Sequence, residues 1–262
     1  MRHQEFESPE ELRDTIVCFW HNEEEYGEQE SQFEILPDGF TEIIFYFGSL
    51  KTVDSKPLPS PFLIGLLKQP LTLQTKNCLH VIGVRCYPWT VFELLGLPSG
   101  KNGLQVFEHP IARLQAELDV MMQAGNIDEV ITRLKQFFLD ARVSVDSTLS
   151  KAGGAMRKTK GTLPVSQVAA AAHATVRTLE RKFKQSSGHS VKDVSGIIRF
   201  EQVRNHLWWH PDTNLAGLAA ELGYTDQSHL SREFKKYSGT TPAAFAKKAK
   251  KNNYDFVAFV QA

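Results

Sequence analysis

Residues 215–235 have the sequence LAGLAAELGYTDQSHLSREFK, which predicts two short helices joined by a tight turn. The first helix is rich in alanine and has apolar residues at helical spacing. Gly223 follows it, where a chain leaves a helix in a left-handed conformation. Asp226 is a typical cap for the second helix. Because Leu230 and Phe234 lie four positions apart on one face of that helix, the stretch is typical of a helix-turn-helix motif.

The opposite face of the second helix is polar. Glu233 and Lys235 are expected to keep this face in contact with water. Gln227 and Arg232 also lie on it, and these are the residue types that pair with adenine and guanine edges in the major groove of DNA. The stretch therefore favours a DNA-reading helix.

Composition is that of a folded globular chain. The 262 residues are 42% hydrophobic and 23% charged, which suits one large domain or two ordinary ones. No apolar run approaches the length of a membrane span, and the polar N-terminus does not resemble a signal peptide. The three cysteines, Cys18, Cys78 and Cys86, are odd in number and lack metal-ligand spacing. We therefore expect reduced thiols and a cytoplasmic location.

Charge is divided unevenly along the chain. Residues 1–150 hold 12 Lys and Arg against 22 Asp and Glu, a net charge of −10. Residues 151–262 hold 18 against 8, a net charge of +10. Such asymmetry suggests that the second half binds a polyanion, although a solvated lysine-rich face is the alternative.

The fold class is predicted to be α+β, with a β-rich, barrel- or sandwich-like domain in residues 1–145. The glutamates between residues 23 and 30 are expected to form an acidic loop, and residues 51–61, with three prolines, a surface loop. Strands are predicted at 16–20, 33–36, 42–47, 62–65, 71–73 and 79–86, and helices at 90–95, 111–123 and 128–142.

An all-α domain is predicted for residues 146–262. The boundary is placed within 143–161, because two glycines at 153–154 interrupt a helical pattern and a basic, polar stretch follows. A first helix is expected to run to about residue 159. We predict two helix-turn-helix motifs in this domain, at 163–188 and 214–239.

The first of these motifs repeats the second. Residues 165–172 are again rich in alanine, and residues 176–184 repeat the pattern of 227–235. Residues 191–209 are predicted to form one linking helix. About 20 residues span roughly 30 Å, close to the ~34 Å turn of B-DNA that separates successive major grooves on one face.

Residues 163–248 resemble the DNA-binding domain of the AraC/XylS family of bacterial transcription regulators. Two departures are visible: the turn at His173 lacks the common glycine, and Gly196 lies inside the linking helix, where glycine costs about 1 kcal/mol relative to alanine. The residues that carry the resemblance are Leu179, Arg181, Phe183 and Gly188, then Leu218-Ala219, Glu221 to Tyr224, Asp226 to Ser228, Phe234-Lys235, Gly239 and Thr241-Pro242.

The N-terminal half resembles the sensor domains that precede some AraC-type regulators. Residues 36–39 followed by 42–44, and 82–85 followed by Pro88, carry this resemblance. It implies a domain that binds a small-molecule effector and takes part in a homodimer.

The resemblance places seven side chains at the groove face of DNA, and four lysines beside them are expected to contact phosphates. A solvated side chain or a local salt bridge is the alternative for each arginine, since phosphate contacts outnumber base contacts. Base readout is assigned to Arg177, Thr178, Glu180, Arg181, Gln227, Ser228 and Arg232, and phosphate contact to Lys182, Lys184, Lys235 and Lys236.

Five residues are candidates for an effector pocket: Trp20, Tyr46, His80, Arg85 and Tyr87. Aromatic residues in strands are more often core. Arg85 lies in an apolar strand, where a buried guanidinium needs an anionic partner. That partner is either a ligand or a carboxylate of the same domain.

We therefore expect a DNA-binding transcription regulator, an activator by family analogy, that works with RNA polymerase under the control of a small effector. Two alternatives remain: a ligand-independent repressor or architectural protein, and an enzyme fused to a DNA-binding domain. No cofactor or membrane partner is expected. A metal site is not expected either, because His21, His80 and His109 lack paired spacing. Cys86, followed by Tyr87 and Pro88, does not match the reactive cysteine of DNA-repair methyltransferases.

Overall fold

The computed structural model describes residues 2–97, 103–141 and 145–250. The chain divides into two compact units. Unit 1 consists of residues 1–32, 40–65 and 72–146, and unit 2 of residues 33–39, 66–71 and 147–262. Within the described ranges, no helix combines the length and the apolar composition needed to cross a membrane.

An antiparallel sheet dominates the N-terminal half. Its strands are β1 (Arg2–Glu7), β2 (Ile16–Glu25), β3 (Ser31–Ile35), β4 (Thr41–Thr52), β5 (Phe62–Ile64), β6 (Leu71–Cys86) and β7 (Leu104–Gln105). The order is β1-β2-β6-β4-β5-β7, and β3 also pairs with β6. The predicted α+β class, a sheet-rich N-terminal domain followed by a helical region, is confirmed.

Three details of the strand prediction are wrong. Residues 23–25 continue β2 instead of forming a loop, because their backbone pairs with residues 78–80 of β6. Residues 71–86 are one strand, since the polar middle segment pairs with β4. The sequence of β1 gave no apolar signal, because this strand lies at the edge of the sheet and is mostly exposed.

One face of the sheet holds the core of unit 1. Phe19 of β2, Phe45 of β4 and Val84 of β6 lie on this face, since side chains alternate along each strand. The apolar faces of three helices, α1 (Val91–Leu95), α2 (Gln115–Gln123) and α3 (Ile127–Ala141), belong to the same cluster of buried residues.

On the opposite face, Gly83 of β6 makes room for the indole of Trp20. The two residues are directly opposite in the β2–β6 register. A Cβ atom on Gly83 would lie 1.9 Å from the indole Cε2. Trp20 is completely buried, so any side chain at position 83 would displace it.

Unit 2 is helical. Its helices are α4 (Ser147–Lys158), α5 (Val165–Ala171), α6 (Val176–Ser187), α7 (Val191–Trp209), α8 (Leu215–Glu221), α9 (Gln227–Ser238) and α10 (Pro242–Lys250). The predicted interruption at residues 153–154 is wrong, because α4 continues through both glycines and Gly153 is buried in it. Phe200, Phe234 and Phe245 form an aromatic core, and Phe183 is also completely buried.

Two arginines hold residues 33–39 within unit 2. Arg204 of α7, 3% exposed, donates from Nη1 to the carbonyl oxygen of Pro37 at 3.0 Å. Arg157 of α4 donates to the carbonyl oxygen of Gly39 and forms an ion pair of 2.7 Å with Glu201. This loop is therefore part of the packing of unit 2.

Candidate nucleic-acid interface

Helices α6 and α9 begin and end in the same way. The side chain of Thr175 accepts a hydrogen bond from the N–H of Thr178, and the side chain of Asp226 accepts one from His229 at 2.7 Å. Asp226 is therefore the cap that its sequence predicts. Both helices end at a glycine with positive φ, 74° at Gly188 and 72° at Gly239. Two segments of different sequence thus adopt one local structure.

The turns before α6 and α9 also correspond. His173 follows α5 with φ 52°, and Gly223 follows α8 with φ 69°. His173 therefore has the left-handed backbone conformation that Gly223 has in the second motif. The second turn, residues 222–226, is one residue longer than the first, residues 172–175.

Helix α7 connects the two motifs over the length that the sequence predicts. Its 19 residues, Val191–Trp209, correspond to about 28 Å. Ser190 and Asp193 form a capping box at its start. A Cβ on Gly196 would lie 3.0 Å from the hydroxyl oxygen of Tyr237 in α9. The glycine therefore accommodates the packing of α9 against the linking helix, a role that its sequence position alone did not reveal.

The outward faces of α6 and α9 carry the residues predicted to contact DNA. Arg181 and Arg232 are both exposed and occupy equivalent positions, 51 residues apart. Thr178 and Lys182 are half-buried. The other exposed members of the set are Arg177 and Lys184 on α6 and Gln227, Ser228, Lys235 and Lys236 on α9.

Glu180 has a structural contact that competes with base readout. Its Oε2 accepts a hydrogen bond from the backbone N–H of Val191 at 3.2 Å, which ties α6 to the start of α7. Thr178 is similarly engaged, since its hydroxyl accepts from Thr175 at 2.9 Å.

The prediction that Glu233 faces solvent is wrong. Its carboxylate, 17% exposed, accepts hydrogen bonds from the guanidinium of Arg199 at 3.2–3.4 Å and from the hydroxyl of Tyr224 at 3.3 Å. The same guanidinium lies 4.6 Å from the centroid of the Tyr224 ring. Burial and the nearby Glu233 raise the pKa of Tyr224. This cluster fixes α9 to α7. The sequence near Glu233 does not predict it, because Arg199 lies 34 positions away.

Comparison with known families agrees with this geometry. The family model described as a helix-turn-helix domain matches residues 168–248, which include both motifs except the start of α5. Residues 168–248 therefore form a helix-turn-helix domain of the AraC type. A second model, a domain of unknown function (DUF6597), matches residues 4–105 of the chain. No curated protein matches the sequence of this chain.

Several solved structures are similar to this chain. ToxT from Vibrio cholerae O395 is 13% identical over 87% of this chain and 97% of its own, with a TM-score of 0.48. The C-terminal domain of AraT, a response regulator from Geobacillus stearothermophilus, is 24% identical over 39% and 86%, with a TM-score of 0.37. An AraC-type regulator from Chromobacterium violaceum is 20% identical over 39% and 91%, with a TM-score of 0.36.

The five residues predicted to line an effector pocket do not lie together. Trp20, Tyr46 and Arg85 lie on the face of the sheet opposite to the helical layer, according to the register of β2, β4 and β6. His80 lies on the other face. Tyr87 follows the end of β6 and stacks on Trp89, with ring centroids 5.1 Å apart.

Arg85 has carboxylate partners within unit 1. Its Nε donates to Glu42 at 2.8 Å, and its Nη1 lies 3.7 Å from Glu5. The guanidinium is 1% exposed and lies 5.2 Å from the ring centroid of Phe40. The guanidinium of Arg85 therefore has a carboxylate partner in its own domain, which is one of the two kinds of partner that the sequence predicts.

Proposed function

We propose that the chain is an AraC-type transcription regulator that binds double-stranded DNA in a sequence-specific manner, with α6 and α9 entering two successive major grooves. The observation that carries this proposal is the repeat itself. Two capped helices with exposed arginines at equivalent positions, Arg181 and Arg232, are joined by a helix of about 28 Å. This length is close to one turn of B-DNA, the spacing that two recognition helices require.

The charge distribution supports the same proposal. Residues 151–262 have a net charge of +10, which favours contact with phosphates and fast association. Arg177, Gln227 and Ser228 are the further exposed candidates for base contacts. Lys182, Lys184, Lys235 and Lys236 are assigned to phosphates.

We further propose that unit 1 senses a small effector and contributes to a homodimer, and that the regulator activates transcription in the cytoplasm together with RNA polymerase. The sheet and its helical layer form a compact unit distinct from the DNA-binding unit, which favours a sensing role. A ligand-independent repressor would instead show the same DNA affinity and transcript level under every growth condition.

Selection of bound duplexes from a random DNA pool tests the proposal. We expect a bipartite site with two short elements about one helical turn apart. Enrichment of a single element, or of no sequence, would contradict the use of both motifs.

A matched pair of variants then tests the division of roles on α9. Arg232→Ala should weaken binding to the selected site by about 1–3 kcal/mol, with little change on scrambled DNA, because base contacts provide discrimination. Lys236→Ala should weaken binding to both and lower the salt slope by about one. Equal losses for the two variants on both DNAs would overturn the assignment.

A further inference from the structure

The core face of the unit 1 sheet becomes polar at one end. Along β2, Phe19 is followed on the same face by His21 and Glu23, and along β6, Ile82 is followed by His80 and Cys78. The register pairs Glu23 with His80 directly across the two strands. Because side chains alternate along a strand, these polar groups share one face.

Three of these side chains bring different donor atoms together. A carboxylate oxygen of Glu23, Sγ of Cys78 and a ring nitrogen of His80 all lie within 4.8 Å of one another. The sulfur is 3.6 Å from Nε2 of His80. Ligands of a tetrahedral zinc ion, bonded at about 2.0–2.3 Å, are roughly 3.3 to 3.6 Å apart. The distance between Sγ and Nε2 already lies in this range, and the carboxylate oxygen is within 4.8 Å of both atoms.

His21 orients the imidazole of His80. Its Nε2 lies 3.2 Å from Nδ1 of His80, and the two rings are stacked with centroids 5.5 Å apart. His21 is 1% exposed, so it provides a fixed support. With Nδ1 directed at His21, Nε2 of His80 faces the sulfur. Metal-bound histidines are typically held in this way, through a hydrogen bond at the second ring nitrogen.

We propose that Glu23, Cys78 and His80 form a binding site for a divalent transition-metal cation of the zinc type. A thiolate, an imidazole and a carboxylate are ligands that Zn²⁺ accepts, whereas Mg²⁺ and Ca²⁺ prefer oxygen. Binding converts the thiol of Cys78 to a thiolate and releases one proton to solvent. The thiolate and the carboxylate then balance the charge of the cation, and water completes the fourth position.

A Co²⁺ titration of the full-length, tag-free chain without DNA tests the site. We expect one equivalent to produce a thiolate-to-cobalt charge-transfer band and the visible bands of four-coordinate Co²⁺, both lost on addition of Zn²⁺. Cys78→Ser should abolish the charge-transfer band, although Cys18 and Cys86 remain. His80→Ala and His21→Ala should weaken binding by about 10-fold or more.

Glu23→Gln and Glu24→Gln provide a matched pair, since the two carboxylates are adjacent on β2 but project to opposite faces. The first substitution should weaken Co²⁺ binding, and the second should leave it unchanged. Absence of stoichiometric binding, a charge-transfer band that persists in Cys78→Ser, or equal effects of the two glutamine variants would overturn the proposal.

Alkylation of the unaltered chain provides a test that requires no substitution. Zn²⁺ should protect Cys78 from iodoacetamide, as located by peptide mass spectrometry. Equal alkylation of Cys78 with and without Zn²⁺ would refute the site. Because no DNA is present in these measurements, their failure leaves the DNA-binding proposal intact.

Discussion

Glu233→Gln should lower the free energy of unfolding of the protein by about 2 kcal/mol. The substitution removes the negative charge that faces Arg199 and weakens four hydrogen bonds of 3.2–3.4 Å, three from that guanidinium and one from Tyr224. Hydrogen bonds to charged groups contribute about 1.5–3 kcal/mol, and loss of one partner of a fully buried pair costs about 3–5 kcal/mol. Because both side chains are 17–18% exposed, the lower range applies.

Urea unfolding followed by the helical circular dichroism signal measures this loss, which corresponds to a midpoint about 1 M lower. Glu221→Gln is the matched control. Its carboxylate is 59% exposed and lies 3.7 Å from Lys160, so we expect a change below about 0.5 kcal/mol. Equal midpoints for the two variants would refute the conclusion that the Arg199–Glu233 pair fixes α9.

Three further predictions concern other parts of the chain. Gly83→Ala should lower the free energy of unfolding by about 3 kcal/mol, because the new methyl group overlaps the indole of Trp20. In a Trp20→Leu background the same substitution should lower it by less than about 1 kcal/mol, and equal losses in the two backgrounds would exclude this clash. Burial and the nearby charge of Lys68 lower the pKa of His189 from 6.5 to about 4. The fold therefore has its full stability above pH 6.5, where the imidazole is neutral, and the free energy of unfolding decreases by up to about 3 kcal/mol as the pH falls towards 4. The difference between the pH–stability profiles of the unaltered chain and His189→Gln isolates this contribution, and parallel profiles would contradict it. His173→Gly should raise the free energy of unfolding by up to about 1 kcal/mol, because it removes a non-glycine residue from positive φ. Thermal unfolding measures this change, and a lower midpoint temperature for the variant would argue against backbone strain at His173.

The helical half could be predicted well because its signals are local. The cap at Asp226 and the extent of 191–209 depend on residues within a few positions of each other, and both are confirmed. The role of Glu233 could not be predicted in this way. It depends on a contact with Arg199 that forms only when α9 packs against α7.

The sheet was harder to predict because pairing determines it. The run of glutamates at 23–25 is a typical loop sequence, yet β6 draws it into the sheet by backbone pairing. The spacing of histidines along the sequence does not predict the group of Glu23, Cys78 and His80 for the same reason. Its members are close only across two strands, and the local trace is the alternation of Cys78 and His80 on one face of β6.

The inclusion of residues 33–39 and 66–71 in unit 2 has a practical consequence for truncation. The backbone passes from one unit to the other five times, after residues 32, 39, 65, 71 and 146. A fragment that begins at residue 147 would contain both helix-turn-helix motifs but would lack the carbonyl oxygens that Arg157 and Arg204 bind. Cleavage at a single peptide bond therefore cannot release unit 2 with all its parts.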